Sequence, residues 1–157
     1  MNAPYHGPAR AELDVAIMGA GFSGLCMAIA LKKAGRTNFR IFEKADDLGG
    51  TWRDNRYPGC ACDVPSHLYS FSFEQNPDWS RSYSPQPEIW RYMKDTAAKY
   101  DLASHVTYGA AVTDAVFDEA APKDASGKPD PKQTFSPSDR KLIVNSLLQA
   151  CDAKDGL

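Results

Sequence analysis

Gly19-Ala-Gly21-Phe-Ser-Gly24 follows directly on a short apolar run and opens a helical pattern, and no other feature so narrows what this chain can fold into. A glycine triplet with this spacing suits a strand-to-helix turn. The first glycine allows the tight turn, the second lets a backbone approach a bound pyrophosphate, and the third lets helix and strand pack closely. The N–H groups and positive dipole end of the following helix then face the anion.

The flanking patterns agree with that reading. Leu13 to Met18 reads as a buried strand. From Ser23 the spacing becomes helical, with Leu25, Ala28, Ile29 and Lys32 on one stripe, and Gly35 suits the C-terminal cap. Phe39 to Lys44 reads as a second strand, which completes a βαβ unit. Glu43 lies 19 residues beyond Gly24, where a carboxylate accepts hydrogen bonds from an adenosine ribose. An acid there disfavours a 2′-phosphate, so the residues favour FAD or NAD over NADP; the plainer alternative is a turn and a solvated strand end.

Residues 45–86 are rich in proline and aromatic residues and lack a sustained period, the pattern of a long functional loop. Pro87 to Tyr100 returns to helical spacing, with Ile89, Tyr92, Met93, Ala97 and Tyr100 on one face. Val106–Tyr108 and Ala111–Phe117 read as a small antiparallel pair. After Glu119 the composition changes to linker chemistry over 121–139, and 140–157 forms a short amphipathic tail. The 157 residues suffice for one domain, and a net charge of −2 argues against nucleic-acid binding.

The 17 uncharged residues from Val15 to Leu31 are too short for a membrane span and are broken by three glycines. Four cysteines are too few for a disulfide scaffold, so a reducing cytoplasm is expected. Cys60, Cys62 and His67 lack the spacing and fourth ligand of a zinc site, so no metal is expected.

Leu48-Gly49-Gly50-Thr51-Trp52 supplies a second close backbone approach that a simple NAD dehydrogenase does not need. Together GAGFSGL, GGTWRDNRYPGCACDVPSHLYSFSF and SPQPEIWRYM resemble the N-terminal part of flavin-dependent Baeyer–Villiger monooxygenases, within the flavin-containing monooxygenase superfamily. The resemblance covers roughly residues 11–120. It implies an α/β, incomplete Rossmann-like FAD-binding fold with a small antiparallel element and an irregular tail. It also implies a complete enzyme that uses FAD, NADPH and oxygen to convert a ketone into an ester or lactone.

By the same resemblance Gly19, Gly21, Phe22, Ser23 and Gly24 hold the FAD pyrophosphate, Glu43 and Lys44 border the adenosine ribose, and Gly50, Thr51 and Trp52 lie against the cofactor. Asp63 sits beside the flavin ring and near the nicotinamide as the catalytic candidate, Tyr69 contacts the flavin side, and Val112 meets the adenine through its backbone. For Asp63 the alternative is a loop carboxylate that caps backbone N–H groups. Ala61 departs from the family, where arginine is common before the Cys-Asp pair.

No second Gly-X-Gly-X-X-Gly occurs in the chain. The expectation is therefore a fragment without turnover of its own, with an uncovered apolar edge at Leu13–Met18; the alternative is a non-catalytic FAD- or ADP-binding remnant or a chimeric gene fragment. Asp139–Leu157 weakly resembles the segment leading into the calcium loop of tannase and feruloyl-esterase-like hydrolases. Asp152 and Asp155 alone cannot supply the six to eight oxygens that calcium takes.

Overall fold

The structure is a computed structural model and describes residues 13–113 and 115. β1 (Val15–Met18) leads through the glycine turn into α1 (Phe22–Lys33), and β2 (Phe39–Phe42) follows. A short helix α2 (Thr51–Asp54), a long loop, α3 (Gln86–Lys99), a 3₁₀ turn (Ala103–His105) and β3 (Val106–Thr107) complete the order. The sheet runs β1-β2-β3, with both pairings parallel. Val15 is in register with Phe39, and Ile41 with Val106.

Burial explains why these segments fold as they do. Val15, Ile17, Phe39 and Ile41 alternate with more exposed neighbours and share the covered face of the sheet. In α1, Gly24, Leu25, Cys26, Ala28, Ile29 and Leu31 are buried, a wider apolar surface than one stripe. Burying a Leu or Ile side chain contributes roughly 1.5–3 kcal/mol, and Leu25, Ile29, Ile41 and Ile89 are 1% exposed or less. α3 is more clearly amphipathic: Ile89, Tyr92, Met93, Thr96 and Ala97 face inward. The ends of the two long helices are tied by Lys32 Nζ, which donates to the Asp101 carbonyl at 2.8 Å.

The expected antiparallel pair is corrected. Val106–Thr107 joins β2 in parallel, because α3 and the 3₁₀ turn carry the chain back across the sheet before it re-enters. Gly109 and Ala110, which lie between the two expected strands, extend this pairing. Gly109 N–H donates to Ala45 and Ala110 N–H to Glu43, each to the backbone carbonyl, which leaves 111–113 outside any strand. His105 stacks on Phe39 with ring centroids 4.1 Å apart, which fastens the same junction.

β1 lies at one edge of the sheet among the described residues, and its last residue, Met18, is 45% exposed. No helix among the described residues is long and apolar enough to cross a membrane. The expected linker at 121–139 and tail at 140–157 lie outside the described residues.

Candidate functional site

Two glycine turns meet at the C-terminal end of the sheet. Gly19–Gly24 links β1 to α1, and Leu48–Thr51 leads into α2. Between them a cavity of about 320 Å³ is lined by Met18, Gly19, Gly21, Phe22, Ser23, Gly24, Gly49, Gly50, Thr51, Trp52 and Tyr69. The turns are joined by the Gly49 N–H, which donates to the Ala20 carbonyl at 2.9 Å.

Side chains are excluded from this junction by distance. A Cβ on Gly24 would stand 2.0 Å from the Gly19 carbonyl oxygen, so the third glycine lets α1 start directly against the turn. Gly50 has φ +51°, and a Cβ there would meet Gly21 Cα at 3.3 Å. The two turns thus approach at backbone contact, as a cradle for a pyrophosphate requires.

The polarity of the cradle follows from which backbone groups are already occupied. Around the second turn every carbonyl is engaged by protein: Asp47 by Arg53, Leu48 by the Trp90 indole, Gly49 by Trp52 N–H, and Gly50 by the N–H groups of Arg53 and Asp54. Asn55 occupies the Thr51 carbonyl, and Gln86 Nε2 donates to that of Trp52. At the start of α1 the N–H groups of Phe22, Ser23 and Gly24 precede the first helical bond, and no side chain caps them. The cradle therefore presents donors and a positive helix end to an anion.

Glu43 is not among the residues that line the cavity and is 3% exposed, with its carboxylate against the first glycine turn. Its Oε2 accepts the Ala20 N–H at 2.7 Å, and its Oε1 accepts the Ala45 N–H at 3.0 Å and Arg53 Nη1 at 2.9 Å. Burial pushes the carboxyl up, but the hydrogen bonds from Ala20, Ala45 and Arg53 outweigh it and hold the group below the ordinary Glu value. Arg53 is itself buried, and its Nη1 also donates to the Asp47 carbonyl at 2.6 Å. Its Nε donates to Asp54 at 2.8 Å; that bond, with the one to Glu43, raises the guanidinium above its ordinary value against the effect of burial.

An aromatic wall closes one side. Trp52 Nε1 donates to the Tyr69 hydroxyl at 3.1 Å, and Phe22 packs edge-on to Tyr69 with centroids 5.2 Å apart. Behind the second turn, Trp90 touches Gly49 so closely that a Cβ there would lie 2.6 Å from the indole ring.

Of the residues singled out from the sequence, Gly19, Gly21, Phe22, Ser23, Gly24, Gly50, Thr51, Trp52 and Tyr69 are brought together around one cavity. Glu43 is outside the lining, against the first glycine turn, while Lys44, Asp63 and Val112 lie outside the lining and are exposed. Arg53, Gln86 and Trp90 were not foreseen as parts of the site. For Arg53 a signal existed: an acid expected at a sheet terminus beside a glycine turn needs a partner if it is buried.

These features are those of known proteins. A profile of NAD(P)-binding Rossmann-like domains matches residues 17–96, about half of the chain. The chain is 52% identical over 113 residues to a Baeyer–Villiger monooxygenase of Pseudomonas aeruginosa, covering 71% of this chain and 21% of the relative. It is 47% identical over 106 residues to the FAD-binding monooxygenase ktnD of Aspergillus niger, covering 67% and 17%. Among solved structures, an oxidized steroid monooxygenase bound to NADP superposes with a TM-score of 0.64 at 43% identity, covering 68% of this chain and 21% of that one. The chain thus spans about a fifth of the length of the curated relatives it matches. With its two parallel crossovers, its glycine turn at the sheet terminus and this match, the chain belongs to the NAD(P)-binding Rossmann-like domain family.

Proposed function

We propose that residues 11–120 form the FAD-binding portion of a Baeyer–Villiger-type monooxygenase, and that the complete protein uses FAD, NADPH and oxygen to insert oxygen into a ketone. The observation that carries this reading is the backbone contact of Gly21 with Gly50, with the carbonyls of the second turn tied away from the cavity. A single glycine turn serves many nucleotides; two converging ones suit the pyrophosphate of a larger dinucleotide. The relatives named above are monooxygenases, one of them described as FAD-binding.

In this reading Gly19, Gly21, Phe22, Ser23 and Gly24 hold the pyrophosphate through backbone N–H groups, and Gly50 and Thr51 close on it from the opposite side. Trp52 and Tyr69 give the cofactor an aromatic face and exclude water from it. Glu43 accepts a ribose hydroxyl through the remaining acceptor position of Oε2, and Lys44 and Val112 border the adenosine. Asp63 stands on the loop that would meet the nicotinamide and is proposed as the catalytic residue. Bound FAD would supply the redox chemistry.

The test is a titration of the purified chain with FAD, read by flavin fluorescence, with ADP as competitor. Saturable binding is expected. Gly50→Ala should weaken it about tenfold or more, since an L-residue forced to positive φ costs roughly 1–2 kcal/mol. Absence of binding by both FAD and ADP overturns the reading.

A further inference from the structure

Glu43 and Arg53 form the one ion pair among the described residues in which both side chains are nearly fully buried, 4% and 6% exposed. The pair joins three separate backbone segments. Through Glu43 Oε2 it holds Ala20 in the first glycine turn, through Oε1 it holds Ala45 after β2, and through Arg53 Nη1 it holds Asp47 ahead of the second turn. Arg53 follows Gly50 by one helical turn, so its backbone and its guanidinium act on the same segment: its N–H donates to the Gly50 carbonyl at 3.0 Å.

We propose that Arg53 is a positioning residue of the nucleotide site: its guanidinium clasps the two glycine turns together through Glu43 and directs Oε1 toward protein donors, so that Oε2 stays available to a ribose hydroxyl. This rests on the FAD reading given above. The argument is one of valence. A carboxylate offers about four acceptor positions; Arg53 and Ala45 fill the two on Oε1, and Ala20 fills one on Oε2. Without the guanidinium, burial would favour a protonated Glu43, which has lost the charge that strengthens its bonds to Ala20 and to a ribose hydroxyl.

The surroundings offer no substitute cation in contact with Glu43. Lys44 and Asp47 stand on its own loop, with Lys44 exposed; Asp54 and Arg56 lie on the α2 side, where Asp54 pairs with Arg53 and Arg56 Nε donates to the Arg53 carbonyl. Tyr108, after β3, is a further neighbour, its phenol pushed up by burial and by the negative charges of Asp47 and Glu43. The first glycine turn contributes only amides.

The experiment compares wild type with Arg53→Lys, Arg53→Met and the double variant Glu43→Gln/Arg53→Met. One readout is the carboxyl titration of Glu43 by carbon-13 NMR, assigned by the signal missing in Glu43→Gln; the chain has only five glutamates, Glu43 among them. The other is FAD and ADP affinity against pH. In Arg53→Met the Glu43 midpoint should move up, and FAD affinity should fall about tenfold or more and follow that midpoint, whereas Arg53→Lys should retain much of both.

The double variant buries no unpaired charge, so it keeps the comparison possible if Arg53→Met fails to fold; it should fold and bind FAD poorly at every pH. Wild-type-like affinity in a folded Arg53→Met overturns the role of Arg53 alone, and in the double variant it overturns the role of Glu43 as well. An unmoved Glu43 midpoint in Arg53→Met overturns the role of Arg53. Failure of wild type to bind FAD and ADP overturns the FAD reading together with it.

Discussion

Two carboxylates, Glu43 and Asp63, are named as site residues from the sequence, the first from its spacing to the glycine turn and the second by resemblance alone, and the structure treats them in opposite ways. Glu43 is buried and receives three hydrogen bonds from three segments. Asp63 is exposed on the loop after Cys62 and makes no hydrogen bond within the described residues. The difference separates a part of the site that is complete within these residues from a part that faces outward. Around Glu43 the cradle is assembled from the ends of β1 and β2, the start of α1 and α2, with α3 behind the second turn. Whatever Asp63 acts on, nothing among the described residues closes over it.

The sharpest way to break the comparison is Arg53→Met, which leaves Glu43 buried without its cation. Removing one partner of a buried pair costs about 3–5 kcal/mol, so a large fall in unfolding free energy is expected in urea titrations; a loss below about 1 kcal/mol would place Glu43 in water. Gly24→Ala comes next. Its Cβ meets backbone, which cannot rotate away, so about 3 kcal/mol of destabilisation and loss of FAD binding are expected. Wild-type melting in that variant would show that α1 can shift.

Trp90→Phe is a smaller change. It keeps the ring behind Gly49 but strips the Leu48 carbonyl of its donor, 2.8 Å away, at a cost of about 1 kcal/mol. Asp63→Asn should stay within about 0.5 kcal/mol of wild type and leave FAD affinity unchanged; a marked change in either would tie Asp63 to the cradle.

Acid titration sharpens the same contrast. The folded value of Glu43 lies below its ordinary one. Its contribution is therefore present at neutral pH and is lost as pH falls below the ordinary Glu value, about 4.3, through the folded one. Thermal stability should decline over that range, and less steeply in Glu43→Gln. An equal slope in both proteins would remove Glu43 as a source of acid sensitivity.

Much of the βαβ unit was legible because its signals are local. β1, α1 and β2 fall within one or two residues of the spacing of Leu13–Met18, Ser23–Ala34 and Phe39–Lys44, and α3 starts one residue before Pro87. The third strand was placed correctly but paired wrongly. A two-residue strand carries no record of its partner, and the amides of Gly109 and Ala110 were free to choose the loop after β2 over a hairpin. Asp63 and Val112 were nominated by likeness alone, and the cavity does not include them.

By itself the sequence determined the glycine positions, and with them where a backbone could turn and approach an anion, since the missing Cβ is a property of the residue and not of its surroundings. It also determined that Glu43 ends the second strand beside that turn. Only the tertiary structure decided that Gly50 would lie against Gly21, that Trp90 and Gln86 of α3 would hold the second turn from behind, and that Arg53 would neutralise Glu43. Those contacts join segments up to 42 residues apart. Their pairing follows from which donors and charges burial leaves without water, which no local pattern encodes.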